Sequence, residues 1–349
     1  MRSARWEGIR SIGLAEVDDP APGPHDIVLD VGACGICGSD VHAYAEGAWI
    51  SEGAPMGHEF AGTVREVGAE VVGLAYGDRV AVNPMGPCGT CPQCAAGRTN
   101  LCRAAVNSAR GGLSDQVLVP HARVHERLFP MPDAMTFEEG AFLEPLSVAV
   151  RAVRQAAPDL TAPIVVAGLG SIGQCVVRVL RAYGATDVLG VDVSPPRLAV
   201  AATAGADVLD ARAEDARTHI IDRWGTSVSP YQQGGNVGTW FECSGAPAML
   251  AIATEATRAS GTLSLAGLTS RTPEVDVNTV VQKELRLLGS FAYTAPDSAE
   301  AFRLLAEGHA SVRELVSHRV PLSRVTEAFE AQHAVDGSVK VIVIPEEFR

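Results

Sequence analysis

Four cysteines, Cys88, Cys91, Cys94 and Cys102, fall in one short stretch, CGTCPQCAAGRTNLC, at the spacing C-x2-C-x2-C-x7-C. Two disulfides in so cramped a segment would strain against the Cα separation that a bridge requires. Four thiolates around one Zn²⁺ instead satisfy tetrahedral geometry and leave no position open, which is the pattern of a structural metal site. An iron–sulfur cluster uses the same ligand type and stays open on the residues alone. Either way a loop of about residues 86–103 is predicted to be clamped by metal. Such a loop belongs in a reducing compartment, where the chain's eight cysteines stay available as thiols.

The remaining bulk properties narrow the class. The chain has 349 residues, enough for two domains. A net charge of −13 with no local basic stripe argues against a nucleic-acid or anionic-membrane partner. The N-terminal segment lacks an apolar signal core, and no apolar run approaches the ~20 residues needed to span a bilayer. The expectation is a soluble, cytoplasmic protein.

The texture of the sequence changes twice. The first ~150 residues carry short alternating runs (Ile27–Val31, Thr63–Val67, Arg79–Val82, Gln116–Val119) separated by turn signals such as Gly77-Asp78. This predicts a small-strand, barrel-like β domain. A helix is predicted over Glu138 to Gln155, then the buried strand Ile164–Ala167. Strand and helix then alternate: helices over Val177–Tyr183, Arg197–Ala204 and Ala248–Ala259, strands over Val188–Val191, Thr239–Cys243 and Leu263–Ala266. That order predicts an α/β fold with a parallel sheet. Two amphipathic helices and a last strand, Val339–Ile344, complete the tail. The expected domains are 1–149, 150–289 and a tail segment 290–349.

The strand Ile164–Ala167 runs into Gly168-Leu169-Gly170-Ser171-Ile172-Gly173 and then an apolar helix. A lone GxGxxG is weak, but this one has the strand before it, the helix after it, and Asp192 closing the next strand. Gly168 permits the tight turn, Gly170 lets backbone approach a pyrophosphate, and Gly173 lets the helix pack closely, its N-terminus facing the anion. Asp192 can accept from a ribose 2′-OH and would repel a 2′-phosphate, which favours NAD over NADP. Arg197 is the opposing signal, because an arginine nearby can accommodate that phosphate.

A second donor set is spread along the chain. CGICGSDVH supplies Cys37, Ser39, Asp40 and His42; PMGHEFAG supplies His58 and Glu59; FLEPLSVAV supplies Glu144. Cys, His and carboxylate from distant segments are what an open, catalytic zinc site needs.

Taken in order, CGICGSDVH, GHEFAG, GDRV, the four-cysteine lobe, EPLSVAV and GLGSIG resemble the zinc-dependent medium-chain dehydrogenases, nearest to the polyol, (R,R)-butanediol and threonine dehydrogenase branch. The resemblance covers nearly the whole chain. It implies a GroES-like catalytic domain and a Rossmann domain of doubly wound parallel sheet, with the tail from about 290 returning to the first domain and the active site in the cleft between domains. It implies two zinc ions per chain, one structural and one catalytic, together with NAD. Cys37 and His58 match zinc ligands, and so does Glu59 in much of the polyol branch. Glu144 matches a carboxylate that binds the metal directly or through water, and the two options stay open. Asp40 matches the residue that orients His58. Ser39 and His42 match a proton relay. Ser171, Ile172, Arg197, Ser244 and Leu268 match positions around the cofactor, the stretches Phe241 to Gly245 and Ala266 to Leu268 match the nicotinamide pocket, and Lys340 matches a basic residue near the pyrophosphate. The implied reaction is hydride transfer between a secondary alcohol and NAD, in a homotetramer first and a dimer second.

Two positions depart from the sorbitol-type pattern. Ala43 stands where an aromatic follows the relay histidine, and Ala292-Tyr293 stands where that pattern has Arg-Tyr. Both changes remove groups that hold a long polyol. The expected substrates are therefore a vicinal diol, a hydroxyketone, a cyclic polyol or aminocyclitol, or a hydrophobic secondary alcohol; Tyr44, Trp49, Phe291 and Tyr293 either shape the pocket or belong to the core. The rivals are an NADP-dependent reductase of the same fold, a reductase without catalytic zinc, and a non-catalytic binding member.

Overall fold

The computed structural model describes residues 1–104, 107–229, 231–269, 271–334 and 337–346. Packing divides the chain into Met1–Ser147 with Tyr293–Arg349, and Val148–Ala292.

In the first unit, a hairpin of Arg2–Gly8 and Ser11–Glu16 precedes a seven-stranded sheet whose strands follow the order 316–321, 340–344, 27–35, 59–67, 79–82, 128–130, with 116–119 also pairing onto 27–35. Strand Ile27–Gly35 is the hub, antiparallel to Glu59–Val67, Gln116–Val119 and Lys340–Ile344. Its residues read almost without interruption as buried, because neighbours cover both its edges and its faces. The last strand of the chain therefore completes the first sheet. Ile27, Leu29, Phe60, Val80, Phe329 and Val341 are among the fully buried side chains that join sheet and tail into one core.

The second unit is a six-stranded sheet in the order 207–210, 188–192, 164–167, 237–242, 257–265, 286–289, every pair parallel. Starting at the middle, winding out to one side and returning to the other is the Rossmann arrangement. It creates a switch point beside strand Ile164–Ala167, where the glycine-rich turn follows. The buried runs IVVA and VLGVD form these strands because both faces are covered by helices.

Several predicted elements differ in extent. The single helix expected over Glu138 to Gln155 is two, Phe137–Ala141 and Leu143–Ala156, broken at Phe142. Pro145 explains the break: it has no N–H to donate to Ala141 and fits only in the first turn of a new helix. The restart puts Glu144 in that first turn. The helix expected to run to Ala259 ends at Ala256, and Thr257–Leu265 is strand. Lys283 accounts for this ending. Its side chain is almost wholly buried, and its ammonium donates to the carbonyls of Thr254 (3.1 Å), Glu255 (2.6 Å) and Thr257 (3.0 Å), the orphan acceptors of a helix C-terminus. Replacing Lys283 with Ala strands these buried acceptors. The expected result in urea unfolding is a loss of about 2–3 kcal/mol, with the methionine variant no better, since the carbonyls and not the volume are what go unmet.

Candidate metal centres and dinucleotide loop

Sheet register builds the first cluster. Gly35 pairs with Glu59 and Cys34 with Phe60, so the chain leaving strand Ile27–Gly35 puts Cys37 beside the segment that carries His58 and Glu59. Cys37 is the N-cap of helix Gly38–Glu46. Gly57, just before His58, has φ +87°, and a Cβ there would lie 2.6 Å from Leu113 Cγ, so only glycine allows this approach. One donor atom each from Cys37, His58 and Glu59 lie within 4.8 Å of one another. Asp40 Oδ2 accepts from the Cys37 amide (3.2 Å), and its Oδ1 lies 3.6 Å from His58 Nδ1, the side expected for an orienting carboxylate.

The electrostatics of this cluster favour a cation. Glu59 is wholly buried, its Oε1 has no hydrogen-bond partner among the described residues, and its Oε2 pairs with Lys340. Burial, with Glu59 nearby, pushes the Glu144 carboxyl up to about 7 although His58 and Lys340 oppose the shift. Burial also raises the Tyr293 phenol, and the adjacent Glu144 adds to it. Burial would lower His58, yet Asp40 and Cys37 hold it well above the usual imidazole range. Carboxylates, a thiol and an imidazole crowded in dry surroundings, with one orphaned oxygen, fit a bound cation, and the mixed S, N, O donors suit zinc.

Ser39 and His42 stand three residues apart on helix Gly38–Glu46, hence on one face. His42 Nδ1 lies 3.6 Å from Glu46 Oε2, and Trp49, exposed and in left-handed backbone (φ 58°), meets the imidazole edge-on at 5.9 Å. Two expectations, for Lys340 and Phe241, need correction, and one open alternative, for Tyr44, is resolved. Lys340 is 1% exposed, its ammonium held by Glu59 and by the Ile36 carbonyl (3.0 Å), so its charge is engaged inside the cluster and not offered to a pyrophosphate. Tyr44 packs against Phe329, and its hydroxyl donates to Glu330 (2.5 Å), so it is core rather than pocket. Phe241 is fully buried within its strand and cannot line a pocket. The signal that could have found the Lys340–Glu59 pair was the unbalanced carboxylate after His58, which needed a buried cation.

In the lobe, the four cysteine sulfurs lie within 4.8 Å of one another. Cys91 Sγ is 3.6 Å from Cys94 Sγ and 3.9 Å from Cys102 Sγ. A tetrahedron with Zn–S of about 2.3 Å has edges of about 3.8 Å, so the sulfurs already sit at metal spacing and too far apart for a bridge. None of the eight cysteines forms a disulfide among the described residues. Backbone amides of Thr90 and Cys91 bring the Cys88 thiol down to about 6. The neck of the lobe is closed by Ala109 N to Pro84 O (2.9 Å), by Gly86 N to Ser108 Oγ (3.2 Å), and by the buried Arg127, which donates to the Pro84 and Pro120 carbonyls.

The dinucleotide loop follows strand Ile164–Ala167, and Gly170 caps helix Ser171–Ala182. A Cβ on Gly168 (φ +84°) would strike Ser244 at 2.5 Å, and one on Gly173 would strike the Gly168 carbonyl at 1.9 Å. Asp192 is nearly buried and accepts from the amides of Leu169 (2.6 Å), Val193 (2.7 Å) and Ser194 (2.9 Å), which ties the end of its strand to the loop. A Cβ on Gly170 would be 3.9 Å from Arg197 Nη1, so that guanidinium lies beside the loop. Ser244 donates to Glu242 and accepts from Ala246 N (3.0 Å), and Leu268, about half exposed, lays its carbonyl over Gly245. The structure thus gathers Gly168 through Gly173, Asp192, Arg197, Ser244 and Leu268 around one turn.

Comparison with known proteins agrees with this anatomy. The alcohol dehydrogenase GroES-like domain matches residues 23–133, and the zinc-binding dehydrogenase domain matches residues 171–307. Sorbitol dehydrogenase of Arabidopsis thaliana is 34% identical over 97% of this chain and 94% of its own. The crystal structure of 2R,3R-butanediol dehydrogenase from Bacillus subtilis superimposes with a TM-score of 0.85 at 31% identity, covering 99% of both chains. A zinc-binding dehydrogenase from Sinorhizobium meliloti, bound to NADP, superimposes with a TM-score of 0.87 at 31% identity, again over 99% of both. No described helix is long and apolar enough to cross a membrane.

The lobe geometry predicts that Cys88→Ser removes one metal ion per chain and lowers stability by at least about 2 kcal/mol, because metal binding is folding free energy there. Metal analysis with thermal unfolding checks this. A variant of undiminished stability that still holds its full metal complement would refute it.

Proposed function

The chain belongs to the zinc-dependent medium-chain dehydrogenases, in the polyol and butanediol dehydrogenase branch, and from that premise we propose that it interconverts a secondary alcohol and its ketone with NAD, using one catalytic and one structural zinc. The observation that carries this reading is the convergence of Cys37, His58 and Glu59 around an orphaned carboxylate oxygen.

When bound, zinc supplies the positive charge that eases loss of the hydroxyl proton, and the nicotinamide takes the hydride. The chain's own part is placement and proton handling. Cys37 and His58 hold the metal with Glu59 or Glu144 as further donor. Asp40 fixes the imidazole of His58. The Ser39 hydroxyl accepts the substrate proton, and His42, partly exposed, delivers it to water. Glu144, whose carboxyl is raised toward neutrality by burial, can hold a proton in the metal-free state that a cation would displace.

Asp192 supports NAD, since its carboxylate would repel a 2′-phosphate at the end of that strand. Arg197 beside Gly170 favours the second reading, NADP, and the Sinorhizobium relative binds NADP. For substrate we favour a vicinal diol, a hydroxyketone, a cyclic polyol or aminocyclitol, or a hydrophobic secondary alcohol over sorbitol. Ala43 and Ala292 lack the hydrogen-bonding and aromatic groups that would select a long polyol. Eight cysteines without a disulfide among the described residues suit the cytoplasm. A homotetramer, with a dimer second, is the assembly expected; the exposed edge strand Arg286–Gly289 is one surface that association would cover.

A panel of diols, polyols, cyclitols and apolar secondary alcohols, each assayed with NAD and with NADP, tests the reading. Turnover is expected with NAD and a short or cyclic alcohol, and Cys37→Ala or His58→Ala should lower kcat by at least about a thousandfold. Unimpaired turnover in Cys37→Ala would sink the zinc mechanism, and a preference for NADP would replace the first cofactor reading with the second.

A further inference from the structure

Gly35 marks a gap that two side chains fill from opposite sides. It pairs with Glu59 across one edge of its strand and with Ile342 across the other. A Cβ on Gly35 would lie 2.3 Å from Glu59 Oε2, 2.7 Å from Lys340 Cε and 3.3 Å from Lys340 Nζ. The missing side chain is the opening through which Lys340, on the last strand, reaches Glu59, two strands away. Both side chains are 1% exposed. The ammonium also donates to the Ile36 carbonyl (3.0 Å) and lies 6.0 Å from the centre of the Phe142 ring. The same carboxylate is a member of the Cys37, His58, Glu59 donor set, and its Oε1 is buried without a hydrogen-bond partner among the described residues. One carboxylate therefore faces two cations, an ammonium built into the sheet and the metal. Away from water the two like charges repel, and neither can have the carboxylate wholly to itself.

We propose that Lys340 is a positioning residue that shares Glu59 with the metal, restraining Glu59 from closing the coordination shell, and that Gly35 exists to admit it. This rests on the reading that Cys37, His58 and Glu59 take the catalytic zinc. Without Lys340, Glu59 turns fully to the metal: the ion is held more tightly and the open position that a catalytic site needs is lost.

The test is coordination itself. Native protein and the variants Lys340→Met, Lys340→Arg, Glu59→Gln and the Glu59→Gln/Lys340→Met pair are loaded with Co²⁺ in place of zinc. Their visible d–d spectra and the loss of each ion to a chelator are then recorded. The four-cysteine lobe contributes the same signal throughout. Lys340→Met should alter the spectrum of the non-lobe ion and slow its loss at least about tenfold, since a nearby like charge is gone. Lys340→Arg should behave as native. On the Glu59→Gln background, adding Lys340→Met should leave the spectrum unchanged, because the lysine acts through the carboxylate; this neutral pair also folds if Lys340→Met does not. Two ions bound, with Lys340→Met matching native in spectrum and release or releasing its ion faster, overturns the inference and leaves the function standing. If Lys340→Met does not fold, a spectral change on adding it to Glu59→Gln overturns the inference alone. Uptake of the lobe ion only overturns both.

Discussion

The pairing of strand Ile27–Gly35 with three neighbours at once is the constraint on which the first unit depends. Register does the work. Because side chains alternate at a period of two, a slip of one residue against Glu59–Val67 would turn Glu59 out of the core and separate His58 from Cys37. The buried apolar residues of this strand hold the register, so the same contacts that stabilise the sheet also set the geometry of the donor cluster. Stability and site are here one set of contacts.

The second unit reaches the same end by close approach rather than by charge. Gly168 lies against Ser244, Gly173 against the Gly168 carbonyl, and Gly267 against the amide of Gly245. Backbone packed against backbone leaves no room for a side chain, and the turn leads directly into the N-terminus of helix Ser171–Ala182, the end of a helix that favours an anion. Asp192 draws the turn toward the end of its own strand through Leu169 N.

Much of this was legible in the sequence because the relevant signals are local. The lobe spacing, the glycine turn and the runs IVVA, RVAV and QVLV each carry their own reason within a few residues, and the last three fall on strands 164–167, 79–82 and 116–119 as expected. Signals that depend on distant partners were not legible. The break at Phe142 needed Pro145 to be weighed against a strong helical pattern. The end of the helix at Ala256 depends on Lys283, far along the chain. The strands Asp207–Asp210 and Arg286–Gly289 lack alternation, and Val316–Pro321 alternates only between half-buried and exposed polar positions, since each lies at an edge of its sheet. Lys340 was read by its place in a motif, whereas its role depends on Glu59, far away along the chain and adjacent only in the fold.

The return of the last strand to the first sheet has a consequence for synthesis. Residues 148–292 form a continuous unit that can fold as it emerges, while the Cys34–Gly35 end of strand Ile27–Gly35, which Gln116–Val119 does not reach, waits with one edge bare until Lys340–Ile344 is made. Throughout that interval Glu59 has no ammonium to answer it. The nascent chain therefore passes through a stage at which its donor cluster is most strongly anionic and most open to a passing cation. The order in which residues leave the ribosome sets when the cluster acquires its counter-charge.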